Sequence, residues 1–256
     1  MRSLEVQEVS IHFGGLKAVQ NVSLHVDEKE LVGLIGPNGA GKTTMFNLMT
    51  GIYQPTSGSV FINGMSIAKK APFQITNECR AARTFQNIRL FKDLSVLDNV
   101  LVSSHLKVRY GLMSILFHSE FYRQQEQEIR EEAIQLLKIF NLESKADELA
   151  RNLPYGEQRK LEIARALMTK PKILFLDEPA AGMNDQETAQ LLELVRFIRE
   201  RFSIGILVIE HDMKFIMGLC ERIYVLDHGQ LIAHGSPEQI KTNPEVIKAY
   251  LGEEAA

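Results

Sequence analysis

Residues 36–44 read GPNGAGKTT, set directly after the apolar run LVGLI (31–35) and directly before the helical stretch MFNLMTG (45–51). The pattern G-x-x-x-x-G-K-[ST] between a strand and a helix is a phosphate-binding loop, and both flanks it demands are in place. The loop runs through Gly36, Pro37, Asn38, Gly39, Ala40, Gly41, Lys42, Thr43 and Thr44. Its three glycines let the backbone curl, so that successive N–H groups and the helix N-terminus point at phosphate oxygens. Lys42 can then reach the β- and γ-phosphates, and the Thr43 hydroxyl can ligate Mg²⁺. A bare Gly-rich turn explains the glycines but not the lysine, the threonine and the flanks together.

Outward from the loop, the pattern is that of an α/β protein. Short strand-like runs, VSLHV (22–26), LVGLI (31–35) and SVFI (59–62), alternate with turn residues. From about Ser95 to Phe140 the period becomes helical. Ile129, Ala133, Leu136, Leu137 and Phe140 share one face, opposite a face rich in Glu and Gln. Within this helical insertion GLMSILFHSEFY (111–122) is apolar for a connector and reads as core in preference to a surface that meets another chain. After Pro171 strands and helices alternate: KILFLDE, ETAQLLELVRFIRER, GILVIEH, MKFIMGLCE, RIYVLDHG. That order predicts a largely parallel sheet. The expected division is a catalytic lobe over about 1–86 and 165–240, a helical insertion over about 87–164, and a C-terminal helical tail over about 241–256.

Several positions bear chemistry beside the loop. In ILFLDEP (173–179) an apolar strand ends in Asp177, which can hold a metal ion through water, and Glu178, which can orient an attacking water. Gln86, in RTFQNIRLF, presents an amide that can sense the metal or the water, and His211, in VIEHD, can hydrogen-bond the γ-phosphate. Glu210, His211 and Asp212 do not read as a metal cluster, because neighbours on a strand point to opposite faces. Phe13, in IHFGGLKAV, is placed where an adenine can stack, although a lone aromatic is more often core. LPYGEQ (153–158) precedes the helical RKLEIARAL. Pro154 suits a first helical turn and Gly156 exposes N–H groups at the positive end of the dipole. By itself that stretch is either an ordinary helix start or half of an anion site.

Composition narrows the class. The chain has 256 residues, 45% hydrophobic and 24% charged, with a formal net charge of −3. That is ample for one large domain or two lobes, and it gives no basic field for nucleic acid. Cys79 and Cys220 lack metal-ligand spacing and are too few for a disulfide framework, which fits a reducing compartment. No stretch approaches the ~18 uninterrupted apolar residues of a membrane helix, so any service to a membrane is expected to run through a partner.

Gln86, LPYGEQ, LDEP and His211 occur in the order and approximate spacing found in the ATPase subunits of ABC transporters, and the whole chain resembles that family. The resemblance implies a P-loop ABC-type ATPase: a RecA-like core, an N-terminal antiparallel β subdomain and a helical subdomain carrying the signature motif. It implies that LPYGEQ, with Tyr155, Gly156 and Glu157, binds the γ-phosphate of ATP held on the phosphate loop of a second ATPase subunit. It also implies adenine stacking on Phe13, coupling to membrane subunits through Gln86, Glu178 as catalytic base and His211 as switch histidine. Lys42 joins this catalytic set, ATP and Mg²⁺ are the expected cofactors, and Thr43, Gln86 and Asp177 are the expected metal contacts. More narrowly, FGGLKAV, YGEQRKLEIARAL, DEPAAGMN and GSPEQI…NPEVIKAYLG are similar to ATP-binding subunits of branched-chain amino-acid importers. Similar ATPases serve urea uptake and lipopolysaccharide export. The partners so implied are integral membrane permease subunits, a second ATPase chain and, indirectly, a periplasmic or extracellular substrate-binding protein, at the cytoplasmic face of the membrane. The chain departs from the family pattern at Pro154, Tyr155, Glu157 and Asn184, where serine, glycine, glutamine and aspartate are usual.

Overall fold

The computed structural model describes residues 1–107 and 120–254. The strands are β1 (Arg2–Phe13), β2 (Leu16–Asp27), β3 (Leu31–Ile35), β4 (Ser57–Ile62), β5 (Met65–Ser66), β6 (Ala81–Arg83), β7 (Ile173–Asp177), β8 (Gly205–Ile209), β9 (Arg222–Asp227) and β10 (Gln230–Gly235). The helices are α1 (Lys42–Met49), α2 (Pro72–Glu78), α3 (Val96–Leu101), α4 (Glu120–Ile139), α5 (Tyr155–Leu167), α6 (Asp185–Phe202), α7 (Met213–Leu219), α8 (Pro237–Lys241) and α9 (Pro244–Glu254). They form two compact units, one of residues 1–86 with 172–256 and the other of residues 87–171.

The first unit holds two sheets. One is antiparallel, in the order β2-β1-β4-β5. Buried positions on β1 step from Val6 to Val9, and on β2 from Val19 to Val22, intervals that strict alternation would send to the wrong face. Glu8 (φ 48°) and Asn21 (φ 49°) absorb the odd residue in left-handed conformations, and the register slips between Val6 and Val9. The other sheet runs β10-β9-β3-β8-β7-β6, parallel except for β10 on β9. Every residue of β3, β7 and β8 is buried, as expected for parallel strands covered on both faces. Leu34 and Asp177 both pair with Ile209, so the carboxyl ends of β3, β8 and β7 lie level. In parallel sheets ligands bind outside that edge.

In the second unit, Ile129, Ala133, Leu136, Leu137 and Phe140 are all buried, as their spacing predicts. The apolar segment 111–122 lies outside the residues whose side chains are described. This unit extends to Pro171 instead of ending near 164, because α5 continues to Leu167 and Lys170 pairs with Glu132 of α4 at 2.8 Å. The C-terminal helices α8 and α9 belong to the first unit and contribute buried Ile240 and Val246. Among the described residues no helix is long and apolar enough to cross a membrane.

Candidate functional site

The phosphate loop leaves β3 at Ile35 and enters α1 at Lys42. A Cβ on Gly36 would lie 2.1 Å from the Leu226 carbonyl oxygen, and one on Gly41 (φ 97°) 2.8 Å from the Ala18 carbonyl oxygen. Both obstacles are backbone, so only glycine lets the loop pass this close to β9 and β2. The β9–β10 turn clamps the loop from behind: Gly229 N–H donates to the Ala40 carbonyl (2.9 Å), and the Gly229 carbonyl accepts from Gln20 N–H (2.8 Å). Lys42 Nζ donates to the carbonyls of Gly36 (2.6 Å) and Pro37 (2.8 Å), so the loop wraps around its ammonium. Pro37 and Ala40 are buried, whereas Asn38, Gly39 and Thr43 are exposed. The first N–H groups of α1 have no acceptor inside the helix and sit at the positive end of its dipole, which suits a polyphosphate.

Along the same sheet edge, β7 ends in Asp177, whose side chain is 12% exposed and whose Oδ2 lies 3.7 Å from the Arg83 guanidinium. Glu178 follows at φ 45°, a region non-glycine residues rarely adopt. Its N–H donates to the Ile209 carbonyl (2.9 Å), and its carbonyl accepts from Ala181 N–H (3.2 Å), which hold it there. One carboxylate oxygen, Oε2, accepts from Gln86 Nε2 at 2.9 Å and lies 3.8 Å from His211 Nδ1. Gln86, Glu178 and His211 therefore converge on a single oxygen, although they are far apart in sequence.

Glu210 and Asp212, which flank His211, do structural work. Glu210 is 1% exposed and accepts from the N–H groups of Ala180 (2.8 Å), His211 (3.0 Å) and Asp212 (3.4 Å). Burial pushes its carboxyl above the ordinary range, against the pull of those three N–H groups. Asp212 caps α7 by accepting from Lys214 and Phe215 N–H. Among the described residues no group of three or more His, Cys, Asp or Glu is placed to hold a metal ion. Thr43, Gln86 and Asp177 nonetheless offer hydroxyl, amide and carboxylate oxygens. That hard donor set fits Mg²⁺, which keeps several waters and takes few protein ligands beside substrate phosphates.

Phe13 is not core. It is 45% exposed at the end of β1 and meets the Tyr53 ring edge-on, with centroids 5.3 Å apart. Tyr53, Arg83 and Gly229 were missed by sequence reading, and Glu210 was weighed there only as a metal ligand. Of these, Glu210 alone carried a signal, a carboxylate inside the EHD run.

In the second unit, Pro154 is the residue before α5, at ψ 153°, not within its first turn. The first helical bond runs from Gln158 N–H to the Pro154 carbonyl (3.0 Å), while the Gln158 side chain donates to the Leu153 carbonyl (2.8 Å). Gly156 is buried and Tyr155 is exposed. Glu157 is held by Lys145, whose Nζ lies 2.7 and 2.6 Å from its two oxygens. A fully buried pair, Arg159 and Glu162 (2.8 Å), anchors the helix one turn on, and Glu162 also accepts from Arg89 N–H (3.2 Å).

A family model described as ABC transporter matches residues 19–181, and one described as branched-chain amino acid ATP-binding cassette transporter matches 230–256. The chain is 47% identical, over 98% of both sequences, to the high-affinity branched-chain amino acid transport ATP-binding protein of Salmonella typhimurium. Its likeness to the protein so named in Pseudomonas aeruginosa has the same identity and coverage. Among solved structures it resembles an ATP-binding cassette of an ABC transporter in its ADP conformation, with a TM-score of 0.85 and 30% identity over 98% of this chain and 99% of the other. With a phosphate loop, a strained glutamate and a histidine gathered at one sheet edge, these matches place the chain among the ATP-binding subunits of ABC transporters, nucleotide-binding ATPases that energise transport through membrane partners.

Proposed function

We propose that this chain hydrolyses ATP to energise uptake of branched-chain amino acids, at the cytoplasmic face of a membrane and paired with a second ATPase subunit. The observation that carries the chemistry is the meeting of Gln86, Glu178 and His211 at one carboxylate oxygen, level in the sheet with the phosphate loop. The substrate class is supported by relatives of 47% identity over nearly the whole chain and by the match at residues 230–256.

In this reading Lys42 and the N–H groups of the loop hold the β- and γ-phosphates, and Phe13 with Tyr53 takes the adenine face. Thr43, Asp177 and Gln86 would hold Mg²⁺, which would supply positive charge against the phosphate oxygens. Glu178 accepts a proton from a water as the water oxygen bonds to the γ-phosphorus. The bond from that phosphorus to the bridging oxygen breaks, and ADP and phosphate leave. His211 donates to a γ-phosphate oxygen. The signature helix α5, with Tyr155, Gly156 and Glu157, completes the site of the partner ATPase, and a substrate-binding protein delivers cargo to the membrane subunits.

The test is co-purification with the integral membrane complex, reconstitution, and measurement of ATPase rate with added solutes. Leucine, isoleucine or valine, delivered by the binding protein, should raise the rate. Stimulation by an unrelated solute alone would overturn the substrate assignment.

A further inference from the structure

We infer that Arg83 is the resident countercharge of Asp177, and that by opposing a metal ion at that carboxylate it weakens the hold of the phosphate loop on the metal–nucleotide complex. This rests on the assignment of Asp177 to the metal. Arg83 ends β6 and its side chain is 16% exposed. Its guanidinium carbon lies 4.7 Å from the centroid of Phe46 and 4.5 Å from that of Phe85. One nitrogen donates to Thr50 Oγ1 (2.9 Å) and Asn47 Oδ1 (3.3 Å), both at the end of the helix that starts in the phosphate loop. The other lies 3.7 Å from Asp177 Oδ2.

Two rings and two hydrogen bonds thus help to hold the cation, a use that suits the planar guanidinium fork. Its approach to Asp177, at 3.7 Å, is a charge contact longer than a hydrogen bond. A nearly buried carboxylate without a countercharge is costly, and Arg83 supplies that charge when no metal is held. A divalent ion at the same carboxylate supplies it too. The two cations repel across a poorly solvated gap, so whatever Arg83 contributes to the metal-free form opposes metal binding, and the coupling is reciprocal.

The experiment follows binding of a fluorescent non-hydrolysable ATP analogue to the full-length chain as Mg²⁺ is titrated, with a parallel series in EDTA. Arg83→Gln should lower the Mg²⁺ concentration needed for half-maximal effect about tenfold, a modest part of the Coulomb repulsion at this range. Affinity in EDTA should not rise, because the opposition acts only through the metal. If the glutamine variant does not fold, Arg83→Met fills the gap between Phe46 and Phe85 and should give the same shift. An unchanged or raised Mg²⁺ requirement, or equal tightening in EDTA, overturns the inference. Asp177→Asn should raise the requirement, and in that background Arg83→Gln should no longer lower it. If Asp177→Asn alone changes nothing, the metal assignment itself is wrong. If it raises the requirement while Arg83→Gln has no effect, only the countercharge role falls.

Discussion

Glu178→Gln separates binding from chemistry. The substitution keeps the side-chain volume, and an amide oxygen can still accept the 2.9 Å bond from Gln86. Two Lys42 hydrogen bonds lie within the phosphate loop and glutamine keeps the shape of residue 178, so MgATP affinity should stay near that of the parent chain. What disappears is the proton acceptor. Loss of a general base costs ~10²–10⁴ in rate, or about 2.7–5.4 kcal/mol on the barrier. Gln86→Ala removes one hydrogen bond to that carboxylate, worth roughly 1.5–3 kcal/mol, so its defect should reach only the lower part of that range. Because Gln86 bonds to Glu178, the double variant at Mg²⁺ concentrations that saturate the metal site should be little worse than Glu178→Gln alone. Phosphate release at saturating MgATP, in the membrane complex, gives turnover, and equilibrium nucleotide binding gives affinity. Turnover of the Glu178 variant within about tenfold of the parent would remove it from the role of base. Defects that multiply in the double variant even at saturating Mg²⁺ would mean that Gln86 does not act through Glu178.

Lys42→Ala should instead weaken nucleotide binding, by roughly 1.5–3 kcal/mol for the loss of a charge-assisted phosphate contact, and unchanged affinity by calorimetry would count against that contact. Burial raises the Glu210 carboxyl above 4.5, so its contribution to stability is full below that pH and is lost as pH rises through the raised value. Urea unfolding should therefore show the parent losing ground to Glu210→Gln as pH climbs above 4.5, and a pH-independent difference would refute the shift. Arg159→Ala removes the buried 2.8 Å ion-pair partner of Glu162 and should cost about 3–5 kcal/mol in denaturant unfolding. Pro154→Ser places a capping hydroxyl three residues before Glu157 and should stabilise α5 by about 0.5–2 kcal/mol, less the ~0.4–1 kcal/mol that proline gains by stiffening the unfolded chain. It should also tighten nucleotide at the partner's site, and no change in that affinity would mean that the helix N-terminus suffices without serine.

The alternation of strand and helix after Pro171 was legible because each element is long enough to show its period and β7 and β8 are buried end to end. Of the two 12-residue strands, β2 was read only over residues 22–26 and β1 was not named as a strand. Their apolar positions change parity at Glu8 and Asn21, and a pattern interrupted by a bulge reads as shorter strands. The end of the helical unit was misplaced for a different reason. The Lys170–Glu132 pair that ties the end of α5 to α4 joins residues 38 positions apart, beyond the reach of any local period.

The site shows the same division between local motif and distant support. Gly36, Gly41 and Lys42 announce themselves because one short loop needs all three, yet the groups that crowd and clamp the loop, the Ala18 and Leu226 carbonyls and Gly229, come from two other places in the chain. Glu178 was readable as the acid after an apolar strand, but its aim was not. That aim depends on a φ of 45°, fixed by a hydrogen bond to Ile209 on the neighbouring strand. Ile209 is also the residue that aligns β3 with β7, so the pairing that levels the sheet edge and the bond that turns Glu178 outward share one residue. Glu210 extends the same logic by tying Ala180, just beyond Glu178, to the backbone of His211. The base and the histidine are thus fixed by a common backbone frame, and a change that loosens β8 at Ile209 should disturb both before it reaches the phosphate loop.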